Sequence, residues 1–126
     1  MDLKCLVVDD NEGVRSALAR ILQHINIGEV KEAGTADEAL KVMQDYQAGL
    51  VLMDTEMPPG MLGYEACKML KDQYKNTVVI GMSGKPKEFR SKWYEAGADD
   101  FLEKPLETGT ITILESRIKR ALENRL

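Results

Sequence analysis

A single α/β domain, built on a doubly wound parallel sheet with helices on both faces, is the fold class this sequence predicts. Three observations carry the prediction. Short β-rich runs alternate five times with segments of helical period, three of the runs are apolar without interruption, and no linker, repeat or low-complexity tract divides residues 1–126. A chain of 126 residues, 44% hydrophobic and 30% charged, buries roughly two thirds of its unfolded surface and needs no disulfide or metal staple.

The first strand spans about 3–8 through Leu6-Val7-Val8. Leu50-Val51-Leu52-Met53 (about 50–54) and Val78-Val79-Ile80 (about 77–82) repeat its unbroken apolar character. Strands covered on both faces read this way, so these three are central. Glu29-Val30-Lys31-Glu32-Ala33 is short and polar and suits an edge strand at about 29–33, and a fifth strand falls at about 100–103. Between them, Asn11 caps a first helix whose Val14, Ala17, Leu18, Ile21, Leu22 and Ile25 share one face. Thr35 and Glu38 form a capping box ahead of Ala36, Ala39, Leu40 and Met43. A third helix turns Cys67 and Leu70 inward, and a fourth runs from about Pro86 to Ala96, with proline near its first position and Gly97 just past its end. The fifth places Ile111, Leu114, Ile118 and Leu122 on one side and runs to Leu126, so a chain without an output domain is expected.

Composition narrows the function. Lys plus Arg number 17 against 21 Asp plus Glu, a formal net charge of -4, which argues against direct contact with nucleic acid phosphates. No stretch approaches the roughly 18 apolar residues of a membrane span, so no membrane association is expected. Cys5 and Cys67 lie in apolar runs without metal-ligand spacing and read as buried free thiols in a reducing, cytoplasmic setting. The single histidine, His24, excludes a His-rich metal site and reads as a surface residue near a helix end.

In doubly wound sheets ligands sit beyond the carboxyl ends of the strands. Four of the five ends carry reactive groups: Asp9-Asp10 after the first, Asp54 at the third, Ser83 at the fourth and Lys104 at the fifth. Converging carboxylates repel, since a pair about 4 Å apart costs on the order of 4 kcal/mol at an effective dielectric of 20. A cation must join them. Mg²⁺ suits oxygen ligands, Lys104 balances one further negative charge, and Ser83 offers a hydroxyl. Such a set serves phosphoryl transfer, with Asp54 as the carboxylate nucleophile at the end of a buried strand and the Asp9-Asp10 loop suited to metal capture. Each piece alone has a plainer reading: a helix-start charge pair, a Ser83-Gly84 turn, a Lys104-Pro105 loop boundary. Their joint placement favours the site.

At these residues the sequence resembles the receiver domain of bacterial two-component response regulators, of the single-domain chemotaxis-regulator type. Leu6-Val7-Val8-Asp9-Asp10-Asn11, Asp54-Thr55-Glu56-Met57-Pro58, Met82-Ser83-Gly84, Gly97-Ala98-Asp99-Asp100-Phe101 and Lys104-Pro105 match its motifs in order across the chain. The resemblance implies a flavodoxin-like (βα)5 sheet of order 2-1-3-4-5. It implies that Asp54 accepts a phosphoryl group from the phosphohistidine of a sensor histidine kinase or histidine phosphotransfer protein. Asp9, Asp10, Asp54 and the backbone carbonyl of Glu56 would hold Mg²⁺, while Ser83 and Lys104 bond phosphoryl oxygens. Pro105 matches a proline whose peptide bond is cis, and Phe101 takes the switch-aromatic position. The phosphoryl group adds roughly -1.5 to -2 charges. Ser83 would then move toward it, Phe101 would turn inward, and the surface of helix 4, strand 5 and helix 5 would change for a downstream effector. The implied molecule is a switch with self-catalysed phosphoryl transfer and slow self-dephosphorylation, not an enzyme.

Three features depart from the family pattern or stand out within it. Met57-Pro58-Pro59-Gly60-Met61-Leu62-Gly63 carries one extra residue, with Leu62 where Asp is usual, so a reshaped loop is expected beside the site. Gly84 replaces the usual Ala and adds backbone freedom. Glu56 and Lys85 stand two residues after Asp54 and Ser83, where opposite charges could pair over the site and hinder an attacking water. Elsewhere, Phe89, Trp93 and Ala96 make a core stripe, with Trp93 an anchor for a partner if it is partly exposed, and Arg117, Lys119, Arg120 and Arg125 form a solvated face or, on a sharper reading, a homodimer or effector surface. A haloacid dehalogenase-type phosphatase would carry its nucleophile in the first strand as Asp-x-Asp, which Asp54-Thr55-Glu56 is not. A nucleotide-binding domain would need a glycine-rich loop after the first strand. A receiver-like binding module that works without phosphorylation remains the alternative.

Overall fold

A computed structural model describes residues 3–106 and 110–124; the side chains of Thr110 and Ile111, and Arg125 and Leu126 with the expectations placed on them, lie outside the described residues. Five strands and five helices alternate: β1 (Leu3–Val8), α1 (Glu12–His24), β2 (Gly28–Ala33), α2 (Ala36–Tyr46), β3 (Leu50–Asp54), α3 (Gly63–Gln73), β4 (Val78–Ser83), α4 (Pro86–Glu95), β5 (Asp100–Glu103) and α5 (Thr110–Asn124). All sheet pairings are parallel, in the order β2-β1-β3-β4-β5. That is the flavodoxin-like order the resemblance implied, and the sequence-predicted strands agree to within a residue at each end.

The period-2 alternation of each strand divides two cores. Leu6, Val8, Val51, Met53, Val79 and Phe101 meet α2, α3 and α4 on one face. Cys5, Val7, Leu50, Leu52, Ile80, Met82 and Leu102 meet Leu18 and Leu22 of α1 and Leu114, Ile118 and Leu122 of α5 on the other. Both cysteines are buried and free. The polar strand β2 does lie at the sheet edge, and no helix among the described residues is long and apolar enough to cross a membrane.

Local signals set the helix starts. Asn11 Oδ1 accepts the Val14 N–H and Thr35 Oγ1 accepts the Glu38 N–H, as capping requires. The reciprocal half of the expected box is displaced by one residue, because Glu38 Oε2 accepts from Gly34 N–H rather than from Thr35. Glu65 performs that service at α3, accepting the Leu62 N–H at 2.8 Å. Proline at the first position of α4 loses no bond there, and Gly97 beyond its end takes φ +95, a left-handed conformation that favours glycine.

Candidate functional site

The order β2-β1-β3-β4-β5 places the ends of β1, β3, β4 and β5 side by side. Asp9 is fully buried, and both its carboxylate oxygens are used. Oδ1 accepts the Asn11 N–H at 2.9 Å, and Oδ2 accepts from Lys104 Nζ at 2.8 Å. Lys104 Nζ also stands 3.3 Å from Asp54 Oδ2. Carboxylate oxygens of Asp9, Asp10 and Asp54 all lie within 4.8 Å of one another, with Asp10 exposed. Three hard oxygen donors at that spacing against one ammonium fit a small divalent cation.

Electrostatics follow from the crowding. Burial first, and then the charge of Asp9, push the Asp54 carboxyl above the usual carboxylate range, while Lys104 and the Thr55 N–H pull it back. Burial works against the Lys104 ammonium, but its bond to Asp9 and the charges of Asp54 and Asp9 outweigh that and hold its pKa above the ordinary value. Ser83 ends β4, almost wholly buried, with Oγ accepting the Lys85 N–H at 2.9 Å. The Lys104 N–H donates to the Ser83 carbonyl at 2.9 Å, which locks these two strand ends together.

The loop with the extra residue is closed at its base, where the Gly63 N–H donates to the Thr55 carbonyl at 2.8 Å. Its Pro58–Pro59 bond is cis, as is Lys104–Pro105. Gly60 has φ +110, a backbone conformation that favours glycine, and a Cβ there would meet only the movable end of the Asp37 side chain at 2.2 Å. A Cβ at Gly84 would meet nothing nearer than 3.8 Å, so packing does not demand glycine there. The side chains of Glu56 and Lys85 pair at 3.1 Å.

Three placements bear on the sequence reading. Phe101 is fully buried, with the Arg90 guanidinium 4.9 Å from its ring centroid. Arg117 is partly buried rather than freely solvated. It binds the Asp100 carboxylate in bidentate fashion and the Phe101 carbonyl at 2.8 Å, tying α5 to β5. Trp93 is core, as its stripe predicted, but it carries a polar duty that apolar periodicity cannot show: Nε1–H donates to Thr55 Oγ1 at 2.8 Å. Sequence reasoning also missed Arg15, whose Nη1 donates to the Asp9 carbonyl at 2.8 Å while Nε donates to Glu32. Lys119 pairs within its helix with Glu115, and His24 is exposed in the last turn of α1.

The family model for the response regulator receiver domain matches residues 5–114. The chain is 32% identical over 122 residues to the transcriptional regulatory protein ResD of Bacillus subtilis, covering 95% of this chain and 50% of that protein. It is 37% identical over 107 residues to the CAI-1 autoinducer sensor kinase/phosphatase CqsS of Vibrio cholerae, covering 81% of this chain and 15% of that one. The chain thus spans half the length or less of these curated relatives. Among solved structures, the BeF3-activated receiver domain of DrrB, from Thermotoga maritima, superposes with a TM-score of 0.84 at 34% identity, covering 98% of this chain and 99% of that one.

Proposed function

The chain belongs to the response regulator receiver domain family, whose members are signalling switches rather than classical enzymes, and we propose that residues 1–126 act as a phosphorylation-dependent switch in the cytoplasm. Asp54 is the acceptor, and the donor is the phosphohistidine of a sensor histidine kinase or a histidine phosphotransfer protein. One observation carries this reading: Asp9, Asp10 and Asp54 present oxygens within 4.8 Å of one another beside Lys104.

In the step proposed, an Asp54 carboxylate oxygen attacks phosphorus, an O–P bond forms as the N–P bond of the phosphohistidine breaks, and the leaving imidazole keeps the bonding pair and takes a proton. Lys104, 3.3 Å from Asp54, favours the ionised form of the attacking carboxylate against the pull of burial and Asp9 and then pairs with a phosphoryl oxygen. Ser83 Oγ accepts from Lys85 N–H, and a hydroxyl that accepts still has its own proton to give to another phosphoryl oxygen. Asp9, Asp10, Asp54 and the backbone carbonyl of Glu56 would hold Mg²⁺, which would supply positive charge against the phosphoryl oxygens. A downstream effector would read the face of α4, β5 and α5, where Tyr94 and Arg117 both bond Asp100.

The test is an intact mass after incubation with a small phosphodonor, with Mg²⁺ or with a chelator, beside Asp54→Asn. A Mg²⁺-dependent gain of one phosphoryl group, absent in the variant, is the expected result. No gain under conditions that label other receivers would replace this reading with a binding module that works without phosphorylation.

A further inference from the structure

We propose that Thr55 and Trp93 form the positioning pair that couples the phosphoacceptor to helix α4; this rests on the reading of Asp54 as acceptor. Thr55 follows Asp54 and holds it directly, its N–H donating to Asp54 Oδ1 at 2.9 Å. The Thr55 hydroxyl donates to the Met82 carbonyl at 2.7 Å and accepts from Trp93 Nε1–H at 2.8 Å. These directions are forced, since an indole N–H can only donate and a carbonyl can only accept. One buried hydroxyl therefore joins three parts: the acceptor strand, the peptide that leads into Ser83, and α4.

The surroundings make the joint rigid. Thr55 is 1% exposed and Trp93 is wholly buried. The indole fills space that two glycines leave open. A Cβ on Gly81 would lie 2.2 to 2.5 Å from three atoms of the fused ring, and one on Gly63 would lie 2.8 Å from Cζ2 and 2.1 Å from the Asp54 carbonyl. The ring thus bears on β4 and on the start of α3 while its nitrogen is held by Thr55. A shift of the Asp54–Thr55 or Met82–Ser83 peptides cannot be absorbed locally in so tight a contact and is passed to α4 through the ring.

Hydrogen exchange of the α4 amides, measured before and after phosphorylation, tests the coupling in the wild type and in Thr55→Ser, Thr55→Val and Trp93→Phe. All four should take the phosphoryl group by intact mass. The serine variant should keep the α4 response, while the valine and phenylalanine variants should lose it by about fivefold, the worth of one buried hydrogen bond. A full α4 response in phosphorylated Thr55→Val or Trp93→Phe overturns the coupling. Should those variants fold poorly, the wild type decides alone: its one tryptophan gives one indole N–H resonance, which should shift on phosphorylation, and an unmoved resonance in a phosphorylated sample overturns the proposal. A wild type that takes no phosphoryl group removes the acceptor reading itself, a failure distinct from a phosphorylated chain whose α4 is unresponsive.

Discussion

Lys104 Nζ lies 2.8 Å from Asp9 and 3.3 Å from Asp54, so the lysine expected to meet a phosphoryl oxygen is bonded instead to a carboxylate of the cation site. The ammonium does there part of what a divalent ion would do, and the two cations would compete for the Asp9 carboxylate. Lys104→Met should bind Mg²⁺ about tenfold more tightly, since a like charge a few ångströms away is removed, yet accept the phosphoryl group more slowly. Titration calorimetry with Mg²⁺ measures the first effect, and weaker binding in the variant would contradict it.

Glu56 and Lys85, two residues after Asp54 and Ser83, pair at 3.1 Å with both side chains about half exposed. Exposed pairs of this kind add little to stability, so its consequence should be kinetic. Replacing both residues by Ala should shorten the phosphoryl lifetime by opening a path for water, with an almost unchanged unfolding midpoint. A lifetime that stays the same or lengthens rejects the gate.

Trp93 fits only because residue 81 is glycine. Gly81→Ala would drive a methyl group against the ring fusion, not the end of a flexible chain, and should cost about 2–3 kcal/mol by overpacking. In the Trp93→Leu background the same change should cost far less. Urea midpoints of the four proteins in this cycle measure the coupling, and additive losses would show that the two sites do not meet.

Burial pushes the Cys5 and Cys67 thiols from an ordinary value near 9 to about 12, and burial chiefly pushes the Tyr46 phenol to about 12 as well. These groups stay neutral in the folded chain at pH values where the unfolded chain ionises. Their contribution is therefore fully present below pH 9 and is lost as pH rises toward 12, by up to about 1.4 kcal/mol per thiol per pH unit. Unfolding in urea at a series of pH values should show this fall, and Cys5→Ala with Cys67→Ala should flatten it. At pH 8 only about one thiol in ten thousand is ionised, so alkylation should await unfolding; prompt labelling of the folded protein would contradict the burial.

What the sequence disclosed and what it hid divide along a physical line. Strand ends and caps are local, so Asp9, Asp54, Ser83 and Lys104 could be placed from apolar runs and turn residues, and Asn11 and Thr35 from their spacing. The strand order came only from the resemblance, because periodicity is blind to which strands pair. Contacts made across the fold left almost no local trace. Arg15 reaching the Asp9 carbonyl, Arg117 clasping Asp100, and Trp93 donating to Thr55 each join residues from different elements. One signal was available: glycine inside the buried run Val78-Val79-Ile80-Gly81-Met82, where a strand core favours bulk, marks a close approach by something large.

The central claim is that Asp54, rather than Asp9 or Asp10, carries the phosphoryl group. Borohydride reduction of the phosphorylated chain, followed by peptide sequencing in a mass spectrometer, locates an acyl phosphate by converting that aspartate to homoserine. The account predicts homoserine at position 54 alone, dependent on Mg²⁺ during labelling. Homoserine at position 9 or 10, or none in a chain that has gained a phosphoryl group, would contradict it.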